Sequence, residues 1–224
     1  MPTGTPAPPV FDGVADVIAV LVLLAEFGML RAALLPAQIR LYAGQSLLLA
    51  VLAAIAAQQR NVPDLYALAV LSAVLKVLAV PAVLRRMLRD TGTDIAGSGV
   101  LGVATRTLCA LLATAFGFFA TAGLPIRAAV LPRTALSLAV AAVLVAFILM
   151  IFRRDVVSQA VGFFSMENAV SLASLVIAAT MPFLLEVVLL FDLLVAVVVF
   201  SALIRIHHNR RQSLSTRKLS GLRG

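Results

Sequence analysis

Seven apolar stretches of about 20 residues follow one another along this chain of 224 residues, with little sequence left between them. Hydrophobic residues make up 62% of the chain and charged residues only 12%, whereas an ordinary soluble domain carries roughly 25% charged residues. As a helix, each stretch is long enough to cross the hydrocarbon core of a bilayer. The composition therefore predicts an integral membrane protein. The stretches cover residues 14–34, 38–57, 64–84, 102–122, 134–152, 158–179 and 183–204.

The pattern inside these stretches favours helices over the strands of a β-barrel. Leucine, alanine and valine dominate them, and no alternation of polar and apolar residues runs through a length typical of a barrel strand. The sequence predicts an all-α, polytopic membrane protein with seven transmembrane helices over residues 13–204. We expect a proline-rich extended lead-in at residues 1–12 and a basic cytoplasmic tail at residues 205–224. The first stretch has no Lys or Arg before it, so we interpret it as a retained span rather than a cleaved signal.

Basic residues are distributed unevenly between the two ends of the predicted spans. If the N-terminus is outside, thirteen Lys and Arg residues fall on the inner side and three on the outer side. Because cytoplasmic segments of membrane proteins are enriched in basic residues, this asymmetry predicts an outside N-terminus and a cytoplasmic C-terminus. It also accounts for the formal net charge of +8 without a nucleic-acid partner. Arg106 lies one turn into the fourth span, where we expect its side chain to snorkel to the membrane surface.

Metal, redox and catalytic centres lack their usual residues in this sequence. The single cysteine, Cys109, lies in an apolar stretch, and the adjacent His207 and His208 cannot share one helix face as metal ligands four residues apart would. The sequence contains neither a glycine-rich phosphate loop nor a nucleophile elbow. We therefore expect no cofactor, no metal and no catalytic centre in this chain.

Four ionisable residues interrupt the apolar stretches near their middles. Glu26 and Lys76 lie about twelve residues into the first and third spans, and Glu167 and Asp192 lie about nine residues into the sixth and seventh. A charge at that depth costs at least ~2.5 kcal/mol on insertion scales, so such residues usually face a bundle interior and mark a proton or ion path. The alternative is a row of paired charges that only holds helices in register. Pro81 removes a backbone hydrogen bond just after Lys76 and predicts a kink there.

Four short fragments occur in the order and spacing of a known family of membrane proteins. They are Tyr42-Ala-Gly-Gln-Ser-Leu, Lys76-Val-Leu-Ala-Val-Pro, Gly162 with Met166-Glu167-Asn168, and Glu186 followed six residues later by Asp192. In these fragments the chain resembles component E of hydrogenase-4. Proteins of that family are membrane subunits of formate-hydrogenlyase-like group 4 nickel–iron hydrogenases, and the resemblance spans nearly the whole chain.

Residues 133–208 carry a second set of familiar fragments. They are Arg153-Arg154, Gly162, Met166, Asn168-Ala169 and His208-Asn-Arg-Arg-Gln. In these fragments the predicted last three helices resemble the small K-type membrane subunit of respiratory complex I. The glutamates that the K-type subunit uses for proton transfer fall opposite Phe164 and Ala196. The carboxylates of this chain stand instead at Glu167 and Asp192, which moves both toward the outer face by roughly 4.5 and 6 Å.

The resemblance implies a membrane-arm subunit in which Glu167 and Asp192 exchange a proton. Lys76 would determine which of the two is charged, and Glu26 and Glu186 would extend the path inward and outward. The implied partners are antiporter-like membrane subunits, a quinone-site-like membrane anchor subunit and a hydrogenase module, all in a prokaryotic cell membrane. Redox chemistry would take place in those other subunits, so this chain would be a non-catalytic subunit of an oxidoreductase complex.

Two other kinds of protein remain possible from the sequence. An autonomous small secondary transporter usually has inverted repeats and helices interrupted at matching positions, whereas Pro81 is the one clear interruption in this chain. A passive scaffold subunit would use its polar residues only to bind helices together, at about 0.6 kcal/mol for an average interhelical hydrogen bond.

Overall fold

The computed structural model describes residues 9–60, 63–91, 95–96, 102–123 and 132–177, together with Leu194, Val197, Val198 and Ala202. Within this part of the chain the structure is helical, and its β-structure is limited to an isolated bridge between Leu34 and Ile95. A π-helical segment, Ala73–Ala79, joins α3 to α4. The helices are α1 (Pro9–Arg31), α2 (Leu35–Arg60), α3 (Pro63–Ser72), α4 (Val80–Thr91), α5 (Val103–Thr121), α6 (Arg133–Phe152) and α7 (Val156–Ile177).

Four of these helices are long and apolar enough to cross a membrane, which gives the chain the character of a helical membrane protein. They cover Gly13–Arg31, Leu35–Gln58, Val103–Thr121 and Arg133–Phe152. The third predicted span is divided among α3, the π-helical segment and α4, none of which is long enough by itself. The sixth corresponds to α7, which has the length but carries Gln159, Glu167, Asn168 and four serines. Most of the seventh predicted span and the tail lie outside the described residues, so the number of seven spans stays a prediction.

In the described part of the chain, several prolines stand at or near the beginnings of helices. The sequence predicts an extended lead-in over residues 1–12; residues 1–8 lie outside the described part of the chain, whereas residues 9–12 belong to α1, Pro9–Arg31. Pro63 is the first residue of α3, and Pro132 directly precedes α6. Proline is tolerated in the first turn because its missing N–H would have no intrahelical partner there. A prediction based on proline content alone therefore places the start of α1 too late in the sequence.

The kink predicted at Pro81 takes the form of a wider helical turn. The backbone N–H of Val80 donates to the carbonyl oxygen of Leu75, five residues earlier, as in a π-helix. Pro81 has no N–H to donate to Val77, so the α-helical bond at this point cannot form. Lys76 lies inside the π-helical segment and is buried.

Small residues let α6 pack closely against α1, α5 and α7. Ala139, Ala142 and Ala146 of α6 are fully buried. A Cβ atom added at Gly117 of α5 would lie 2.9 Å from the backbone nitrogen of Ala141. Close approach at small residues is typical of helix association in membranes.

Around this centre, α1 and α2 pack against each other, and α2 also contacts α7 and the π-helical segment. These four elements surround a common interior. In contrast, α5 leaves one apolar side uncovered, with Leu108, Leu112, Phe116 and Phe119 all exposed. An uncovered apolar face suits a lipid environment.

Candidate functional site: a buried polar interior

Lys76 and Glu167 form a buried ion pair between the π-helical segment and α7. Lys76 Nζ lies 3.0 Å from Glu167 Oε1, and the two residues are 2% and 5% exposed. Nζ also donates to Ser171 Oγ over 3.1 Å. Ser171 is four residues after Glu167, so both side chains project from one side of α7. Lys76, Glu167 and Ser171 constitute the ion-pair cluster.

Glu26 lies in a second set of buried polar side chains, between α1, α2 and α7. Its exposure is zero. Its Oε1 accepts hydrogen bonds from Gln45 Nε2, at 2.9 Å, and from Ser165 Oγ. Gln45 Nε2 also reaches the carbonyl oxygen of Val22, at 3.4 Å. The carboxylate is thus held by neutral donors from two other helices.

Gln45 connects this set to the next turn of α7. Its Oε1 accepts from Ser165 Oγ at 2.8 Å and from Asn168 Nδ2 at 3.1 Å. Asn168 Nδ2 also donates to Ser46 Oγ over 2.8 Å. Ser165 has one hydroxyl proton and two acceptors within reach, Glu26 and Gln45, so it donates to one of them at a time. We call Glu26, Gln45, Ser46, Ser165 and Asn168 the Glu26 cluster.

Within the described part of the chain, some oxygens of this interior have no hydrogen-bond partner, among them Glu26 Oε2 and Asn168 Oδ1. Tyr42 is fully buried on α2, and its ring packs 5.9 Å from that of Phe164. Enclosed polar atoms of this kind are usual binding sites for ordered water, which can carry protons between neighbouring groups.

Three of the five residues predicted from the sequence lie in this interior. Glu167 pairs with Lys76, and Glu26 lies among amides and hydroxyls. Asp192 and Glu186 lie outside the described residues, so the predicted pairing of Glu167 with Asp192 stays a prediction.

The neutral members of both clusters were missed by the sequence analysis. Gln45 and Ser46 follow Tyr42 by three and four residues, and Ser165, Asn168 and Ser171 repeat every three residues. Such spacing places polar groups on one side of a helix. This periodicity is the sequence signal that could have identified these residues, because each of them by itself is ordinary in a membrane helix.

Arg106 does not snorkel as the sequence predicts, because it is only 7% exposed. It lies near Arg153, which follows α6 directly and is 5% exposed. Arg153 Nη2 donates to the carbonyl oxygens of Leu30 and Ala32, at 3.2 and 2.5 Å, where α1 ends. We call Arg106 and Arg153 the arginine cluster.

The polar interior offers proton donors and acceptors. In the residues that the structure covers, no three His, Cys, Asp or Glu side chains come together as a metal site. The clusters combine two carboxylates, an ammonium group, hydroxyls and amides, all enclosed between helices. Comparison of the chain with protein-family models, with curated proteins and with solved structures gives no match.

Proposed function

We propose that this protein is a membrane-arm subunit of a group 4 nickel–iron hydrogenase-like or complex I-like assembly. In this proposal its buried ionisable residues move protons while redox chemistry proceeds in other subunits. The observation that carries the proposal is the buried Lys76–Glu167 ion pair beside the hydrogen-bonded Glu26. The kind of assembly is inferred from the fragments that resemble the hydrogenase-4 and complex I subunits.

Ionisable groups are an expensive way to hold membrane helices together. Neutral residues such as Ser165, Gln45 and Asn168 already link α2 to α7. A carboxylate or ammonium group in the same interior adds a desolvation penalty that neutral hydrogen bonds avoid. Groups that take up and release protons justify that penalty, which favours proton movement over a purely structural role.

The ion pair couples the position of a proton to the position of a lysine. The ammonium group of Lys76 and the ionised carboxylate of Glu167 attract each other at this short distance. When a proton reaches Glu167, this attraction disappears and Ser171 remains as a hydrogen-bond acceptor for Lys76. Protonation of Glu167 therefore releases Lys76 for another anionic partner, a role for which the sequence offers Asp192.

Glu26 supplies a second protonatable station on the same helix interface. Ser165 lies two residues before Glu167 on α7 and bonds to Glu26. Rotation of the Ser165 hydroxyl from Glu26 to Gln45 reorients a donor within the cluster. Because Ser165 and Glu167 lie on neighbouring positions of α7, this arrangement would bring a proton at Glu26 close to the ion-pair cluster.

The first experiment tests the assembly. The full-length chain would be tagged and purified in mild detergent from its native membrane, and its co-purifying proteins identified by mass spectrometry. We expect a nickel-binding hydrogenase module, antiporter-like subunits and a quinone-site-like anchor subunit. A monodisperse chain without partners that transports a solute in liposomes would instead establish the autonomous transporter.

The second experiment tests proton movement in the assembled complex. Glu26→Gln and a Lys76→Met, Glu167→Gln double variant keep most of the side-chain volume and remove the charges. We expect assembly to persist and proton uptake per hydrogenase turnover, measured in inverted vesicles, to fall sharply. Asp16→Asn is the matched control, since Asp16 is a half-buried carboxylate near the other end of α1. Unchanged coupling in the assembled variants would support the passive scaffold.

A further inference from the structure

Two arginine side chains are buried together at one end of the helical bundle. Arg106 lies in the first turn of α5, and Arg153 is the first residue after α6. Arg153 contacts the carbonyl oxygens of Leu30 and Ala32, where α1 ends. The ends of α1, α5 and α6 therefore meet around the arginine cluster, and neither the ion-pair cluster nor the Glu26 cluster includes it.

Some hydrogen-bond donors of the two guanidinium groups have no partner among the described residues. Within the described residues, Arg106 Nε, Arg106 Nη1 and Arg153 Nε are enclosed and have no hydrogen-bond partner. A guanidinium group has five N–H donors in a fixed planar fork, and burying them unpaired is costly. Such a pair of forks fits an anion with several acceptor oxygens.

The local charges also favour an anion at this position. Burial lowers the pKa of Arg153, the positive charge of Arg106 lowers it further, and Asp155 raises it to a smaller extent. Repulsion between the two arginines thus outweighs the attraction of Asp155. Moreover, α5 has no acidic residue in its first turn to complement the positive end of its dipole.

We propose that Arg106 and Arg153 bind the phosphate group of an anionic phospholipid between the ends of α1, α5 and α6. Phosphate offers the bidentate geometry that guanidinium forks recognise. Its negative charge offsets the repulsion between the two side chains. Basic pockets between membrane helices are known sites for anionic lipid headgroups.

The position of the arginine cluster favours a lipid over a soluble anion. The cluster lies at the ends of α1, α5 and α6, and all three helices are long and apolar enough to cross a membrane. Their ends therefore lie near the level of the lipid headgroups, where an anionic lipid can present its phosphate to the arginines.

The test is native mass spectrometry of the full-length protein, purified with whatever subunits accompany it. The protein is incubated in detergent with phosphatidylglycerol, with phosphatidylcholine, or with phosphatidylglycerol plus excess inorganic phosphate. We expect retention of phosphatidylglycerol over phosphatidylcholine and no displacement by inorganic phosphate. Equal retention of the two lipids, or full displacement by inorganic phosphate, would overturn the proposal of an anionic lipid.

Variants assign the binding to the arginine cluster. Arg106→Gln should lower the apparent affinity for phosphatidylglycerol roughly tenfold, because it removes a charged hydrogen-bonding partner. Arg86→Gln is the matched control, since Arg86 is exposed and its loss changes the net charge equally. If Arg106→Gln does not fold, Arg106→Lys replaces it, and retention should fall because the planar fork is lost. Retention equal to that of the wild type in the folded Arg106 variant would refute the site.

Discussion

Glu167 and Asn168 are consecutive residues of α7 but belong to different polar clusters. Glu167 contacts Lys76 of the π-helical segment, whereas Asn168 donates to Gln45 and Ser46 of α2. Consecutive residues of an α-helix point about 100° apart, so α7 presents one polar side to each neighbour. Movement of α7 would therefore act on both clusters at once.

The ion pair should be more sensitive to single than to double substitution. Lys76→Met leaves the Glu167 carboxylate buried without its cation, and breaking a buried pair in this way costs about 3–5 kcal/mol. The Lys76→Met, Glu167→Gln double variant removes both charges and should recover much of that loss. Denaturation in detergent, followed for the four members of this double-mutant cycle, gives the coupling free energy. Additive losses from the two single variants would mean that the pair is not coupled in the membrane protein.

Ser165 should contribute to stability through its position between Glu26 and Gln45. Ser165→Ala removes a donor from a buried carboxylate, so we expect a loss of about 1–3 kcal/mol. Ser174→Ala is the matched control on the same helix, because Ser174 Oγ donates to the backbone of Ser171 three residues earlier. Thermal unfolding of the two variants measures the difference. Equal melting temperatures would indicate that the Ser165 hydrogen bonds contribute no net stability.

Gly117 should be essential to the packing of α5 on α6. An added Cβ would lie 2.9 and 3.0 Å from the backbone N and Cα of Ala141, which cannot rotate away as a side chain could. We expect Gly117→Ala to destabilise the protein by about 1–3 kcal/mol. Gly44→Ala, where nothing lies within 4 Å of the new methyl group, should be tolerated. Thermal stability in detergent compares the two, and an undisturbed Gly117→Ala variant would contradict the close packing.

The two ends of α5 provide a test of the predicted membrane orientation. Gly102 and Gly123 flank this helix, both are exposed, and both have open space where a side chain would begin. In a Cys109→Ser background, we expect Gly123→Cys to react with a membrane-impermeant thiol reagent outside intact cells and Gly102→Cys to be protected. This follows from the excess of basic residues on the predicted inner side. The reverse labelling pattern would invert the topology.

The charged residues of the interior could be located from the sequence because a charge inside an apolar stretch stands out. Lys76, Glu167 and Glu26 were identified in this way, and all three are buried. Which of them pair could not be derived, because pairing depends on how the helices rotate and pack. Burial of Arg106 was missed for the same reason, since its position near a helix end indicates snorkelling unless neighbouring helices cover it.

The helical character of the chain was predictable from hydropathy, but the form of the third predicted span was not. Pro81 indicates a disturbed backbone and leaves open whether the helix bends, breaks or widens. In the structure, the helix widens into a π-helical segment of seven residues that contains Lys76. That choice depends on the contacts of the segment with α2, which local sequence does not specify.

The π-helical segment rotates the side chains of α4 about the helix axis relative to those of α3. An α-helix drawn as one wheel over residues 63–91 would assign the residues of α3 and α4 to consistent faces, but the extra residue per turn in Ala73–Ala79 breaks that consistency. The faces of α4 are therefore rotated relative to those of α3. A cysteine accessibility scan along these residues should show two periodic patterns that are out of register, with the discontinuity at the lysine.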